Sequence, residues 1–272
     1  MIIDFHTHIY PDKIADRSIK AVLKGIDFTP ASDGTKNGLI KSMKEANVDI
    51  SVNLPVLTKP TQFDSVVNFA LGLNEEFNKT NRGILSFAGL HPDCDDIKGK
   101  VKLLVNSGFK GIKIHPDYQG PYIDDDRYYE LLKVAKDNDL IVLTHAGEDS
   151  GYIGQPIKCS PERVLKVLDR LGGYDKLVLA HMGGKNLPVE VLSVLASKNV
   201  YFDMAMMLKI LPQSLIEKII FKHGVDKVLF ATDSPWASQA EFVEIFKSYN
   251  LGKEVEDKIM YKNALNLLGI KE

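Results

Sequence analysis

Eight short apolar runs punctuate this chain of 272 residues, and most of them lead straight into a histidine or an aspartate. The runs cover residues 2–8, 48–54, 83–90, 111–115, 140–144, 177–180, 200–203 and 228–232. Between them lie amphipathic segments with apolar residues at helical spacing. Examples are residues 63–77, the set Tyr128, Leu131, Leu132 and Ala135, and the set Val164, Leu165, Leu168 and Leu171. Ser160-Pro161 predicts a helix start, with a hydroxyl cap and proline in the first turn. Gly172-Gly173 ends that helix, and Ser107-Gly108 ends an earlier one. Nearly continuous apolar strands need both faces covered, which a parallel sheet wrapped in helices provides. Eight strand–helix units in about 270 residues predict an α/β fold, a closed (β/α)8 TIM barrel. An open doubly wound sheet is the alternative, but no glycine-rich phosphate loop follows the first run. No linker or repeat interrupts residues 1–272, so a single domain is expected. It carries a long loop after strand one (residues 9–35, with a helical piece over 13–23) and an extra C-terminal helix over 255–268.

Composition narrows the partners. A net charge of −2 gives no electrostatic footprint for nucleic acid or an anionic membrane. Two distant cysteines, Cys94 and Cys159, argue against a disulfide scaffold and fit a reducing cytoplasm. The start MIIDFHTH lacks the basic and apolar regions of a signal peptide. No apolar run approaches the ~20 residues that span a bilayer. A cytoplasmic protein with a small-molecule substrate is the expectation.

The polar chemistry gathers at the run ends. His6 and His8 alternate along one strand, so their side chains share a face and can converge on one metal ion. Downstream runs end in His91-Pro92, Lys113-Ile114-His115-Pro116, Thr144-His145-Ala146-Gly147, His181-Met182-Gly183-Gly184 and Thr232-Asp233-Ser234-Pro235-Trp236. Of seven histidines only His223 lies away from a run end. Active sites of barrels form at the C-terminal strand ends. Three or four histidines plus one aspartate suit Zn²⁺, or Mn²⁺, Fe²⁺ or Co²⁺. Such an ion lowers the pKa of bound water toward ~7, and a neighbouring histidine can take the proton. Asp233 could both bind the ion and carry a proton to a leaving group.

The series DFHTH, GIKIHP, LTHAG, LAHMGG and FATDSPW resembles the amidohydrolase superfamily, in its amidohydrolase-related (type 2) branch. That branch includes aminocarboxymuconate-semialdehyde decarboxylase and related hydrolases and non-oxidative decarboxylases. The motifs run from residue 4 to residue 236 in the order of the family. The resemblance implies one divalent metal, with zinc first, held by His6, His8, His145 and Asp233. It implies that His181 orients or deprotonates the metal-activated water, and that the chain forms a homodimer. The leading functional expectation is a metal-dependent hydrolase of a small carboxylate, lactone, amide or ester. The alternative is a metal-dependent decarboxylase using the same ligands. A metal-holding barrel without turnover is disfavoured by His181 standing beside a full ligand set. A barrel deoxyribonuclease is disfavoured by Lys113, which replaces an expected glutamate.

Lys113 also bears on the metal count. Alternation turns Ile112 and Ile114 toward the helices, and Lys113 and His115 toward the barrel axis. In binuclear relatives a lysine on this strand is carbamylated and bridges two metals. Here Asp4 shares the parity of His6 one pleat deeper, so a buried Asp4–Lys113 pair is expected. That pairing favours one metal over two. His115, Trp236, Lys59 and Tyr118 are candidates for substrate contact, with Arg82, Arg127 and Lys185 as further carboxylate anchors. Met204 to Met207 could line an apolar wall, and the loop 9–35 is the natural lid.

Overall fold

The computed structural model describes residues 1–24 and 26–271. Nine strand segments occur among the described residues: β1 (Ile3–Thr7), β2 (Ile50–Asn53), β3 (Gly83–Ser86), β4 (Ala88–Gly89), β5 (Gly111–Ile114), β6 (Ile141–Thr144), β7 (Leu177–Leu179), β8 (Tyr201–Asp203) and β9 (Val228–Leu229). Every pairing between them is parallel, in the order β1-β2-β3 and β4-β5-β6-β7-β8-β9. β3 and β4 are two halves of the third run, interrupted at Phe87. The first half pairs with β2 and the second with β5. The Phe87 amide still donates to the Asn53 carbonyl (2.9 Å), so the wall is continuous there. Last and first strands meet through Phe5 N to Phe230 O (2.9 Å), Asp233 N to His6 O (2.8 Å) and His8 N to Ser234 O (2.6 Å). The ring is therefore an eight-unit (β/α)8 barrel, as the alternation of runs requires.

β1 contains one irregularity that matters for the site. Asp4 pairs with Ser51 but Thr7 pairs with Asn53, so three steps on β1 face two on β2. This is a β-bulge, and it reverses the facing of residues beyond it. Ile3 and Phe5 point inward, packing with Ile50, Val52, Phe87, Leu143, Val178 and Leu229 in the barrel interior. Phe5 and Phe87 meet edge to face at 5.9 Å. Asp4 points the other way, toward Gln239 on the helix Gln239–Ser248. On β5 no bulge intervenes: Ile112 and Ile114 join the helix-side core with Leu131 and Leu132, and Lys113 lies on the inner face.

The helices cover the outside with their periodic apolar faces, and Phe63–Phe77 matches its expected span. Ser160 occupies the cap position before Pro161–Leu171, but its hydroxyl donates to Glu162 Oε2 (2.9 Å) instead of capping a backbone amide. The C-terminal arm is segmented: Lys253–Asp257, a π turn over Lys258–Lys262, then Asn263–Leu268. Ala264, Leu265 and Leu268 pack onto the interior cluster and close the lower end of the barrel. The long connection after β1 carries the helix Ala15–Val22, with Tyr10 N bonded to Gly34 O (2.9 Å) at its base. Among the described residues no helix is long and apolar enough to cross a membrane.

Candidate metal centre

Three donor atoms meet at the upper rim. His6 Nε2 lies 3.1 Å from His8 Nε2, His8 Nε2 lies 3.1 Å from Asp233 Oδ1, and His6 Nε2 lies 3.5 Å from Asp233 Oδ1. A tetrahedral zinc site with bonds of about 2.0–2.1 Å has donor–donor edges of about 3.3–3.4 Å. The chemistry and spacing of this set therefore fit a divalent cation. The bulge makes this possible by turning His6 and His8 to the inside together, above Phe5.

Each imidazole is oriented by the bond made at its other nitrogen. His8 Nδ1 donates to the Leu54 carbonyl (2.8 Å), leaving Nε2 with its lone pair toward the centre. His6 Nδ1 donates to Asp203 Oδ2 (2.7 Å), with the same result. A carboxylate behind a ligating histidine fixes its tautomer and raises its basicity. Asp203 is the residue that sequence reading missed: it ends the seventh run, in the position that marked the other candidates. Its second oxygen accepts from the His181 and Ala205 amides (2.9 and 3.0 Å), so one buried carboxylate ties β1 to β7 and β8. Burial pushes the His6 imidazole down to about 4, helped by the Lys113 ammonium and opposed by Asp203 and Asp233. His6 is therefore neutral near pH 7, as a ligand must be. Burial would raise the Asp233 carboxyl, but His6, His8 and His181 outweigh it and hold it well below the carboxylate range.

Asp233, His181 and Met182 all adopt left-handed backbone, with φ of 74°, 58° and 56°. Such conformations are uncommon outside glycine and are retained where surrounding contacts enforce them. At Asp233 the enforcing contact is the β1–rim bond from its amide to His6 O. At His181 it is the bond from its amide to Asp203.

His145 and His181 form a second pair. His181 Nδ1 lies 2.9 Å from the Ala205 carbonyl, which can only accept, so Nδ1 carries the proton. Its Nε2 then accepts from His145 Nδ1 at 3.0 Å. That leaves the His145 Nε2 lone pair buried without a partner among the described residues. His145, the fourth ligand implied by the resemblance, thus sits beside His181 and outside the tight group of His6, His8 and Asp233. It belongs instead to a second group with His115 and Asp149, whose donor atoms also lie within 4.8 Å of one another. His115 stacks on His145 at 4.3 Å and on Tyr118 at 4.0 Å.

The expected Asp4–Lys113 pair does not form. The bulge places Asp4 outside the barrel wall, where it accepts from Thr232 N (3.0 Å), Thr232 Oγ1 (2.6 Å), Gln239 Nε2 (2.7 Å) and His6 N (3.2 Å). Asp4 thereby ties the backbone of His6 to the strand end that carries Asp233. Burial raises its carboxyl to about 6 against those donors. Lys113 is inside as expected, but its Nζ lies 3.2 Å from His6 Nε2, and Asp203 and Asp233 supply its compensating charge. Burial lowers the Lys113 ammonium to about 8. The single-metal expectation loses the support that the Asp4 pairing was to give it.

A cavity of about 620 Å³ opens from this centre. His115, Tyr118, Trp236, Lys185 and Met206 line it, together with one wall of the loop after β1. Lys59 does not line it, although its neighbours Thr58 and Gln62 do: it points to solvent at the start of the turn Pro60–Gln62. Arg82 pairs with Asp49 and Arg127 with Asp93 and Asp125, and neither lines the cavity. His91 is buried beside its own loop and accepts from Asp93 N (3.1 Å). His223 stacks on Phe202 at 3.7 Å in the helix layer.

The model of the amidohydrolase family matches residues 3–270. The chain belongs to the amidohydrolase family. No curated protein sequence matches it. Among solved structures, this amidohydrolase resembles 2,6-dihydroxybenzoate decarboxylase from Rhizobium (17% identity, TM-score 0.69, 98% of each chain). It also resembles 5-carboxyvanillate decarboxylase from Sphingomonas paucimobilis (13% identity, TM-score 0.72, 99% of each chain). A third is a dihydroxybenzoic acid decarboxylase from Polaromonas sp. JS666, solved with manganese and 2-nitroresorcinol (16% identity, TM-score 0.70, 98% of this chain and 96% of that one). These likenesses establish the barrel fold, and the family match establishes an amidohydrolase-type enzyme.

Proposed function

We propose that this enzyme is a non-oxidative, metal-dependent decarboxylase of small carboxylic acids, ahead of the hydrolytic reading that the sequence put first. The observation that carries it is the cation-sized triad of His6, His8 and Asp233 beside the proton-sharing pair His145–His181. The three neighbours above, all decarboxylases on the same barrel, support the choice of reaction. His6, His8 and Asp233 would hold one divalent ion, zinc or manganese, and the resemblance adds His145 as a further ligand. When bound, the ion acts as a Lewis acid that polarises substrate oxygen and spreads developing negative charge.

The chain's own groups do the rest. The Lys113 ammonium draws the substrate anion to the triad. Loss of CO2 breaks the carbon–carboxylate bond and leaves its electron pair on carbon. That carbon takes a proton from His181 Nε2 in its imidazolium form, which returns to the neutral imidazole, so R–COO⁻ plus H⁺ becomes R–H plus CO2. The neutral His145 keeps its Nδ1 proton and faces His181 Nε2. Apolar cavity walls exclude water and favour loss of the charged carboxylate as neutral CO2. The reading takes residues 1–272 as one domain working on a small molecule. Its test is a panel of aromatic hydroxycarboxylates, lactones and N-acyl compounds offered to the manganese- or zinc-loaded enzyme. CO2 release from members of the first group supports it. Cleavage of lactones or amides with no CO2 from any acid would return the enzyme to the hydrolases.

A further inference from the structure

We propose that the substrate is an amphiphilic organic anion, with its charged head between the triad and Lys185 and an extended apolar body beneath the segment after β1. This rests on the cavity being the reaction site and adds the substrate class. The first observation is the outer wall. Ile14, Val22, Leu23 and Ile26 from the segment after β1, with Arg17 and Ser18 among them, and Val66 and Phe69 from the helix Phe63–Phe77, line the same cavity as the histidines. All six apolar residues are only half-buried. Apolar side chains that line an open cavity gain most when a ligand covers them. The helix Phe63–Phe77 holds Val66 and Phe69 at i and i+3, so they form one face.

The second observation is the charge that Lys185 brings to the cavity lining, beside the exposed Ser150. Lys185 Nζ donates to the Ser150 hydroxyl (2.7 Å), and no ion pair among the described residues includes it. Its backbone is clamped: Lys185 N bonds Ala146 O (3.0 Å) and Glu148 N bonds Lys185 O (3.0 Å). Only glycine fits opposite, because a Cβ on Gly147 (φ +88°) would lie 2.1 Å from Lys185 N. An ammonium on a fixed backbone, in no ion pair among the described residues although the Glu148 and Asp149 carboxylates lie in its field, is suited to a ligand carboxylate. A benzoate-sized acid would leave the outer apolar wall unused, whereas an acyl chain or a longer aryl body would cover it.

Calorimetric titration of the metal-loaded enzyme with butanoate, hexanoate, octanoate and decanoate tests this, with octanol as the uncharged control. Affinity should rise about fourfold per methylene until the cavity is filled. Octanol should bind at least tenfold more weakly than octanoate. Lys185→Met should lower octanoate affinity about tenfold and leave octanol unchanged. Val66→Asp and, in the segment after β1, Leu23→Asp should flatten the chain-length series. Val189→Asp, on an outer helix where Val189 is 72% exposed, should not. A flat series in the wild type, or the wild-type slope retained in both wall variants, overturns the proposal. Metal content and CO2 release are measured separately. A length series without bound metal would refute the decarboxylase reading alone, and CO2 release with a flat series would refute the amphiphile alone.

Discussion

The two walls of the cavity are built on opposite principles. The inner wall, from the ends of β1, β5, β6, β7, β8 and β9, is buried and cross-tied by polar bonds. Asp203 alone accepts from three groups, and Asp4 from three residues. The outer wall, from residues 9–24 and 26–28, lines the cavity mainly with the half-exposed apolar side chains Ile14, Val22, Leu23 and Ile26, with Arg17 and Ser18 among them. Its described backbone bonds between residues 14 and 28 all stay within the segment. Buried polar networks hold one arrangement because any loosened donor or acceptor is costly. Half-buried apolar contacts can be exchanged for contacts with a ligand at little cost. The inner wall is built to hold charge in place, and the outer wall to be completed by what binds.

The largest effect should come from breaking the inner wall at its charge. Asp233→Asn removes the only carboxylate of the donor triad. Activity should fall by on the order of three decades or more, since a metal supplies several kcal/mol of stabilisation to the transition state. Elemental analysis should find the metal gone. Retention of stoichiometric metal would move the site elsewhere, with His115, His145 and Asp149 as the next group to probe. His181→Ala comes next: about two to four decades of turnover lost with metal still bound. If turnover and metal vanish together, His181 is a ligand and not the proton carrier.

Asp203→Asn sharpens the comparison because it touches neither substrate nor ion. Asparagine keeps one oxygen for the His181 and Ala205 amides. Its amide group, however, meets the Nδ1–H of His6, donor against donor. His6 is then driven to the other tautomer, with its proton on the ligand nitrogen. Metal affinity should drop about 10–100-fold, the range for losing the group behind a ligating histidine. A dissociation constant within twofold of wild type would remove Asp203 from the site.

How much of this was legible in the sequence follows from the same contrast. The barrel, its strand ends and the shared face of His6 and His8 could be read because period-two alternation and terminal polar residues are local signals, whereas the ligand set His6, His8, His145 and Asp233 came from the family resemblance. The Asp4–Lys113 pair failed because a single bulge residue between Asp4 and Thr7 reverses parity, and nothing in IDFHT announces it. Asp203 was missed although it ends its run as the others do. A lone aspartate after Tyr201-Phe202 carries no histidine neighbour to mark it. Lys59 was offered as an anchor by charge alone, and charge does not say which side of a turn faces the cavity. Lys185 was offered on the same footing and does face it, fixed by a glycine contact across two loops that no single stretch of sequence displays.

The smallest expected effect separates the two walls most cleanly, because it compares two truncations of similar chemistry. Phe5→Ala empties a fully buried position in the barrel interior and should cost about 3–5 kcal/mol of stability. Leu23→Ala removes a half-buried side chain from the outer wall and should cost less than about 1 kcal/mol. For a substrate that reaches that wall, Leu23→Ala should raise KM about three- to tenfold with kcat within twofold, the signature of lost uniform binding. Phe5→Ala should show the reverse balance: a melting transition several degrees lower, with KM near wild type in the folded fraction. Equal destabilisation by the two substitutions would mean that the segment after β1 is part of the core. The outer wall would then be a fixed boundary, and the division of labour between the walls would not hold.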